Sequence, residues 1–255
     1  MPEPLVELIG RGARVFDLGR ELFAGMPQSP NHPPFRMALQ RRHGDMVRAD
    51  GGSASNEMIV TGGHVGTHID ALAHVSHEGK LHGGGDAMRA QIGGRFTDLG
   101  IDTVEPFVCR GVVLDIPKAL GVERCSGAYE ITAADLEAAT RTDIAPGDVV
   151  LVRTGWGSLW PDATAYVGHA TGVPGPGEEG AKWLASFAPR AVGSDTMAFE
   201  RIAPGAGHAT LPGHRVLLVE HGIHIVETLA LEELTAAGVT EFLFVLSPLK
   251  IVGAT

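Results

Sequence analysis

Apolar residues in this chain fall mostly into short runs separated by turns rich in Gly and Pro, and few stretches carry the three-to-four spacing of an amphipathic helix. Residues 13–18 (Ala-Arg-Val-Phe-Asp-Leu) read as a first strand. The following segment, Gly25-Met26-Pro27 through Pro33-Pro34-Phe35, is too rich in proline for regular structure and reads as a loop. Further strands are expected over 35–42 and 56–60. Val112-Val113-Leu114-Asp115-Ile116 and Val149-Val150-Leu151-Val152-Arg153 are near-continuous apolar runs, as in strands buried on both faces. Shorter strands are expected at 191–195, 216–219, 223–226 and 242–246. Helical spacing predicts helices over 132–139, with Thr132 as N-cap and Asp135 three residues on, over 178–187, and over 229–237. This alternation predicts one α/β domain spanning 1–255, a mixed sheet with helices packed on it.

Composition narrows the partners. The chain has 255 residues, 44% of them hydrophobic and 20% charged, ordinary values for a folded globular protein. A net charge of −10 argues against nucleic acid or an anionic membrane surface, which both need basic footprints. Cys109 and Cys125 are the only cysteines and are too far apart for a Cys-x-x-Cys zinc site. Cys109, beside Arg110, reads as a small buried hydrophobe. Glu3 and Glu7 and the lack of a long apolar run argue against a secretion signal or a membrane span, so a cytoplasmic location is expected. Aromatics make up only 5%, while there are 35 glycines and 16 prolines, a composition of short strands and tight turns.

The histidines carry the chemistry. Of the 12 in the chain, four fall between positions 64 and 77. His64 and His68 are four apart and Asp70 follows two later, within Gly63-His64-Val65-Gly66-Thr67-His68-Ile69-Asp70-Ala71-Leu72-Ala73-His74. Imidazole nitrogen and carboxylate oxygen suit a borderline divalent cation such as zinc or manganese. The spacing puts both rings on one side of a helical turn or around a tight loop, and a short helix is expected to follow. Gly66 lets the backbone come close, Thr67 can bond a ligand from behind, and His74 fits a general acid/base. A lone histidine in a glycine-rich loop is usually structural or solvated, but three histidines and an aspartate in so short a span point to a metal.

A second cluster comprises His208, His214, His221, His224 and Glu227. A site with three ligands from one segment needs more from elsewhere to close its shell or hold a second ion. The residues alone do not choose among these five.

The run from His64 to Asp70, with His74, resembles the His-x-Gly-Thr-His-x-Asp-x-x-x-His motif of the metal-dependent cyclase family, which includes bacterial kynurenine formamidases and isatin hydrolases. The stretches Asp17-Leu18, Gly25-Met26-Pro27, 147–156, Gly193-Ser194-Asp195-Thr196, His214–Leu218, Gly222–Glu227 and Pro248-Leu249-Lys250 are similar to that family too, across nearly the whole chain. The resemblance implies a swivelling β/β/α fold and a homodimer or homotetramer. It implies His64, His68 and Asp70 as metal ligands, His74 as the catalytic histidine, and His214 and Glu227 as a second metal position. The interval from His214 to Glu227 is a residue longer than that family's, which places an insertion near Glu220-His221. The implied reaction is hydrolysis of an amide-type C–N bond in a small aromatic molecule, an aryl formamide or a cyclic amide. Lactone hydrolysis or polyketide-type cyclisation on the same metal is the alternative chemistry, and a non-catalytic metal-binding subunit the alternative class. His74 argues against the last, because storage needs no acid/base. No Gly-x-Ser-x-Gly elbow suggests a covalent route.

Phe23, Phe35, Trp156 and Trp160 are candidates for an aromatic substrate wall, with core packing as the alternative. Ser194 is a candidate for orienting substrate or water, with a plain strand-end turn as the alternative. Gly172–Gly177 lacks the lysine of a phosphate loop and reads as a surface loop.

Overall fold

The computed structural model describes residues 5–255; Glu3 lies outside them. Its centre is a six-stranded mixed sheet. The strands are β3 (His68–Asp70), β4 (Phe107–Asp115), β5 (Val149–Arg153), β6 (Ala191–Ser194), β7 (His224–Glu227) and β8 (Glu241–Leu246), in the order β8-β4-β5-β6-β7-β3. Strands β4, β5, β6 and β7 run parallel, while β8 and β3 close the two edges antiparallel. A separate hairpin of β1 (Arg36–Arg41) and β2 (Asn56–Val60) stands off the sheet, exposed at every position.

Side chains in the parallel strands alternate between two cores, as a period of two requires. Val112, Leu114, Val150, Val152, Val192 and Ile225 face a core covered by the helices Ile116–Leu120, Ala133–Ala139 and Glu178–Ala185. Val113, Val149, Leu151, Ala191 and Val226 face the other, closed by Ile101, Val104, Leu229, Leu231 and Leu234. Both faces are covered, so these strands read as unbroken apolar runs. Thr132 caps its helix as its sequence suggests: its Oγ1 accepts from Asp135 N at 3.2 Å, and Asp135 Oδ2 accepts from Thr132 N at 2.9 Å.

Several elements differ from expectation for identifiable reasons. Residues 13–18 form no strand; Phe16 and Leu18 lean on the second core, but the segment joins no sheet ladder. Val216–Val219 is not a strand but part of a π-helical stretch, Arg215–Glu220, begun by Pro212 in the first turn Pro212–His214. A short apolar run does not distinguish a buried strand from a buried helix, and here the helix won. The π turn is wider than an α-helical one and ends at Glu220, beside the expected insertion. No helix follows the His64 turn; the chain passes straight into β3. The helix expected from 229 begins only at Glu232, because Ala230 N donates to Leu18 O at 2.9 Å. Ile116 leaves β4 to open a helix capped by Asp115.

Candidate metal centre

The site is built on the β3–β7 ladder. Its register pairs Glu227 with His68, Val226 with Ile69 and Ile225 with Asp70. Alternation then puts His68, Asp70 and Glu227 on one face, while Ile69 and Val226 point into the second core. His68 Nε2 lies 3.4 Å from Glu227 Oε2 and 3.5 Å from Asp70 Oδ1. Ahead of β3 the chain turns at Gly66, whose φ of 72° is left-handed. That turn brings the Gly66 carbonyl within 2.8 Å of His68 Nδ1. A carbonyl only accepts, so Nδ1 carries the proton and Nε2 presents its lone pair to the ladder face. Thr67 does not bond a ligand; its hydroxyl donates to Thr228 O at 2.7 Å and accepts from Arg20 N at 2.9 Å, tying the turn to the residue after Glu227.

His64 and His74 flank this face. His64 Nδ1 lies 2.7 Å from Asp70 Oδ1 and its Nε2 2.9 Å from Thr255 Oγ1, so both ring nitrogens are engaged. To ligate an ion, His64 must exchange one of these bonds. His74 stacks on His64 with centroids 3.8 Å apart. From the far side, His214 Nε2 approaches Glu227 Oε1 at 3.4 Å and Asp70 Oδ2 at 3.6 Å. Ligand atoms of His64, Asp70 and His74 lie within 4.8 Å of one another, as do those of Asp70, His214 and Glu227, so Asp70 belongs to both groups.

This donor set fits a divalent cation. Of six buried polar side-chain atoms without a hydrogen-bond partner among the described residues, three are His68 Nε2, Asp70 Oδ2 and Glu227 Oε1. Unpaired buried polar atoms are costly, and a cation bound at this ladder face would satisfy all three. The electrostatics agree. Burial pushes Glu227 up to about 7, with Asp70 adding and His214 opposing. Burial also resists charge on Asp70, but the imidazoles of His74, His64 and His68 outweigh it and hold the carboxyl below its usual range. Burial drives His68 down to about 4 against the pull of Asp70. His214 also pays for burial, yet Glu200, then Glu227 and Asp70, carry it up to about 10. A cation between Asp70 and Glu227 would relieve the repulsion that sets them apart.

Of the five residues left open near the C-terminus, His214 and Glu227 join the site. His221 sits on the exposed turn, and His224 donates Nδ1–H to the Asp70 carbonyl at 2.9 Å. His208 is near His32, with ring centroids 6.2 Å apart, outside both ligand groups. Phe35, Trp156 and Trp160 are buried in a third cluster with Met26, Val65 and Tyr166, behind the His64 turn. Trp156 spends its indole N–H on Tyr166 O at 2.7 Å. Phe23 is exposed. Ser194 is fully buried and its Oγ lies 2.8 Å from Thr196 Oγ1, so the hydroxyl braces the end of β6. Cys109 is partly buried on β4, beside the second core. Sequence reasoning missed Glu200 and His32. Glu200 stands alone among Ala198-Phe199 and Arg201-Ile202, with no motif around it. His32 lies in the proline-rich loop, its ring 5.6 Å from that of His64.

A family model described as a putative cyclase matches residues 16–201. The chain belongs to the cyclase family. The match contains the His64–His74 segment and Glu200 but stops short of His214 and Glu227. A kynurenine formamidase of Geobacillus thermodenitrificans is 26% identical over 220 residues, 86% of this chain and 83% of that protein. The crystal structure of a novel cyclase superposes with a TM-score of 0.84 at 28% identity, covering 100% of this chain and 88% of that one. Isatin hydrolase A of Ralstonia solanacearum has the same fold, with a TM-score of 0.73 at 24% identity over 100% of this chain and 94% of its own. The chain is a hydrolytic enzyme, and its buried histidine, aspartate and glutamate groups form a site for a divalent metal. No helix among the described residues is long and apolar enough to cross a membrane.

Proposed function

We propose that this chain hydrolyses an amide-type C–N bond in a small aromatic compound, an aryl formamide such as N-formylkynurenine or a cyclic amide such as isatin. Zinc or manganese would be held by His64, His68, Asp70, His214 and Glu227, a mix of imidazole and carboxylate that both ions accept. The observation that carries the reading is the convergence of the unpartnered His68 Nε2, Asp70 Oδ2 and Glu227 Oε1 on one buried face. The names of the relatives, kynurenine formamidase and isatin hydrolase, support the choice of bond.

When bound, the ion supplies Lewis acidity, lowering the pKa of a water toward ~7 and polarising the scissile carbonyl. The chain's own residues do the rest. Burial holds His74 at about 3, with Asp70 opposing and His64 and His214 reinforcing, so the ring is neutral at working pH. A neutral imidazole can take the proton of the attacking water and return it to the leaving nitrogen. Stacking on His64 fixes the plane of the His74 ring. Asp70 and Glu227 hold the negative charge that keeps the cation in place, and the apolar wall behind the turn limits bulk water.

The test is a screen of the zinc- or manganese-loaded protein against aryl formamides, cyclic imides and lactones, run beside His74→Ala. Cleavage of formamides or cyclic amides is expected, and His74→Ala should keep its metal while losing about 10² to 10⁴ in rate. Turnover of lactones alone would overturn the amide reading. Loss of metal from His74→Ala would make His74 a ligand and remove the proton carrier.

A further inference from the structure

Glu200 lies outside both ligand groups, yet it is 1% exposed and its carboxylate makes three hydrogen bonds. Its Oε2 accepts from Gly213 N at 2.8 Å. Its Oε1 accepts from His214 N at 2.8 Å and faces His214 Nδ1 at 2.7 Å. Two of these bonds satisfy backbone N–H groups at the start of the turn Pro212–His214. The third reaches the ring. A carboxylate at Nδ1 keeps a proton there, so a cation in the gap shared with Asp70 and Glu227 would displace the proton on Nε2 and meet its lone pair.

The surroundings are shaped for this contact. A Cβ on Gly213 would stand 3.0 Å from Glu200 Oε1 and 3.2 Å from Glu200 Cβ, so a side chain there would crowd the carboxylate. Phe199, fully buried in the first core, holds a left-handed φ of 55° immediately before Glu200. Bulky residues seldom adopt that conformation unless their surroundings impose it.

We propose that Glu200 is the positioning residue for the second half of the metal centre: it selects the Nδ1–H form of His214 and holds Nε2 toward the cation, and so sets metal affinity there. This rests on the reading of His214 as a ligand. It differs from a helix cap, which needs only the two backbone bonds and would leave metal binding alone.

Cobalt(II) separates the two, because its visible absorption reports the ligand field and its affinity can be read by chelator competition. Glu200→Gln keeps the size and an accepting oxygen for the backbone but loses the charge on Nδ1. Glu200→Gln should fold, bind cobalt about 10- to 100-fold more weakly and show a shifted absorption band. His214→Ala should weaken binding at least as much. If His214→Ala titrates like the unmodified protein, His214 is no ligand and both readings fall. If His214→Ala weakens binding while Glu200→Gln and Glu200→Ala titrate unchanged, the role of Glu200 alone is overturned. A readout that needs no Glu200 variant is the nitrogen-15 spectrum of zinc-loaded, histidine-labelled protein, with His214 assigned by its loss in His214→Ala. The proposal requires a proton on Nδ1 and none on Nε2, and the opposite tautomer overturns it.

Discussion

The segment 64–74 gathers its polar groups around one tight turn and one short strand, whereas Glu200, His214 and Glu227 arrive from a loop, a helical turn and a strand that meet only in the folded protein. The first half of the centre is local. Gly66 turns the chain, His68 bonds back to it, and Asp70 reaches His64 across six residues. The second half depends on long-range placement. Glu227 is set by parallel pairing of β7 with β6 and antiparallel pairing with β3, and His214 by a helical turn anchored on Glu200. A local half can keep its shape while distant packing changes; a distributed half reports on the whole fold. Asp70, a member of both ligand groups, joins them.

The largest effect is therefore expected at Asp70. Asp70→Asn preserves size but removes a fully buried charge that faces His64, His68 and His214. Metal affinity should fall by more than about 100-fold, beyond what supporting partners cost, with activity falling alongside. Elemental analysis after desalting measures it. A variant that retains metal through His214 and Glu227 would show the halves to be separable and break the comparison.

The contrast between the halves also explains what could be read from the sequence. His64, His68, Asp70 and His74 could be found because a local turn must spell its ligands close together in the chain. Glu227 could be singled out as an acid ending an apolar run, but its partner required the β3–β7 register, which no single strand encodes. Glu200 was hidden for the same reason: its function is a contact with His214, fourteen residues on, made by a strained turn and a glycine. The fold shows a parallel divide. β4, β5 and the capped helix Ala133–Ala139 announced themselves through unbroken apolar runs and a capping box. Val216–Val219 did not, since its helical state comes from Pro212 and burial of Val216, Leu217 and Leu218 in the first core.

A middle-sized effect should follow from Gly66→Ala, which tests whether the local half is as self-contained as its geometry implies. The residue sits at φ 72°, and an added Cβ would run into Leu22 Cδ2 and fall 3.2 Å from Met26 Cε. Both obstacles are ends of flexible side chains and can move, so the main cost is the left-handed backbone, about 1 to 3 kcal/mol. Denaturant unfolding should show that loss. Because the Gly66 carbonyl orients His68, metal affinity should fall as well, while the fold elsewhere is unchanged. Lost stability with full metal affinity would mean that the turn does not set His68.

The smallest effect is expected at Thr132, which sharpens the comparison by supplying a stability loss that touches neither half. Its capping box with Asp135 closes the helix Ala133–Ala139, which packs on the first core through Leu136 and Ala139. Thr132→Ala removes the acceptor for Asp135 N and should cost about 1 kcal/mol, read as a lower denaturant midpoint with unchanged slope. Thr132→Ser should recover most of it, because serine caps as well. Neither variant alters a ligand or any residue bonded to one, so metal content and turnover should match the unmodified protein. That result makes Thr132→Ala the control for Gly66→Ala, because a loss of stability with full metal affinity separates damage to the turn from damage to the fold. A fall in metal content in Thr132→Ala would show instead that the first core, through Val216 and Leu217, transmits strain to His214, and the distributed half would then extend as far as this helix.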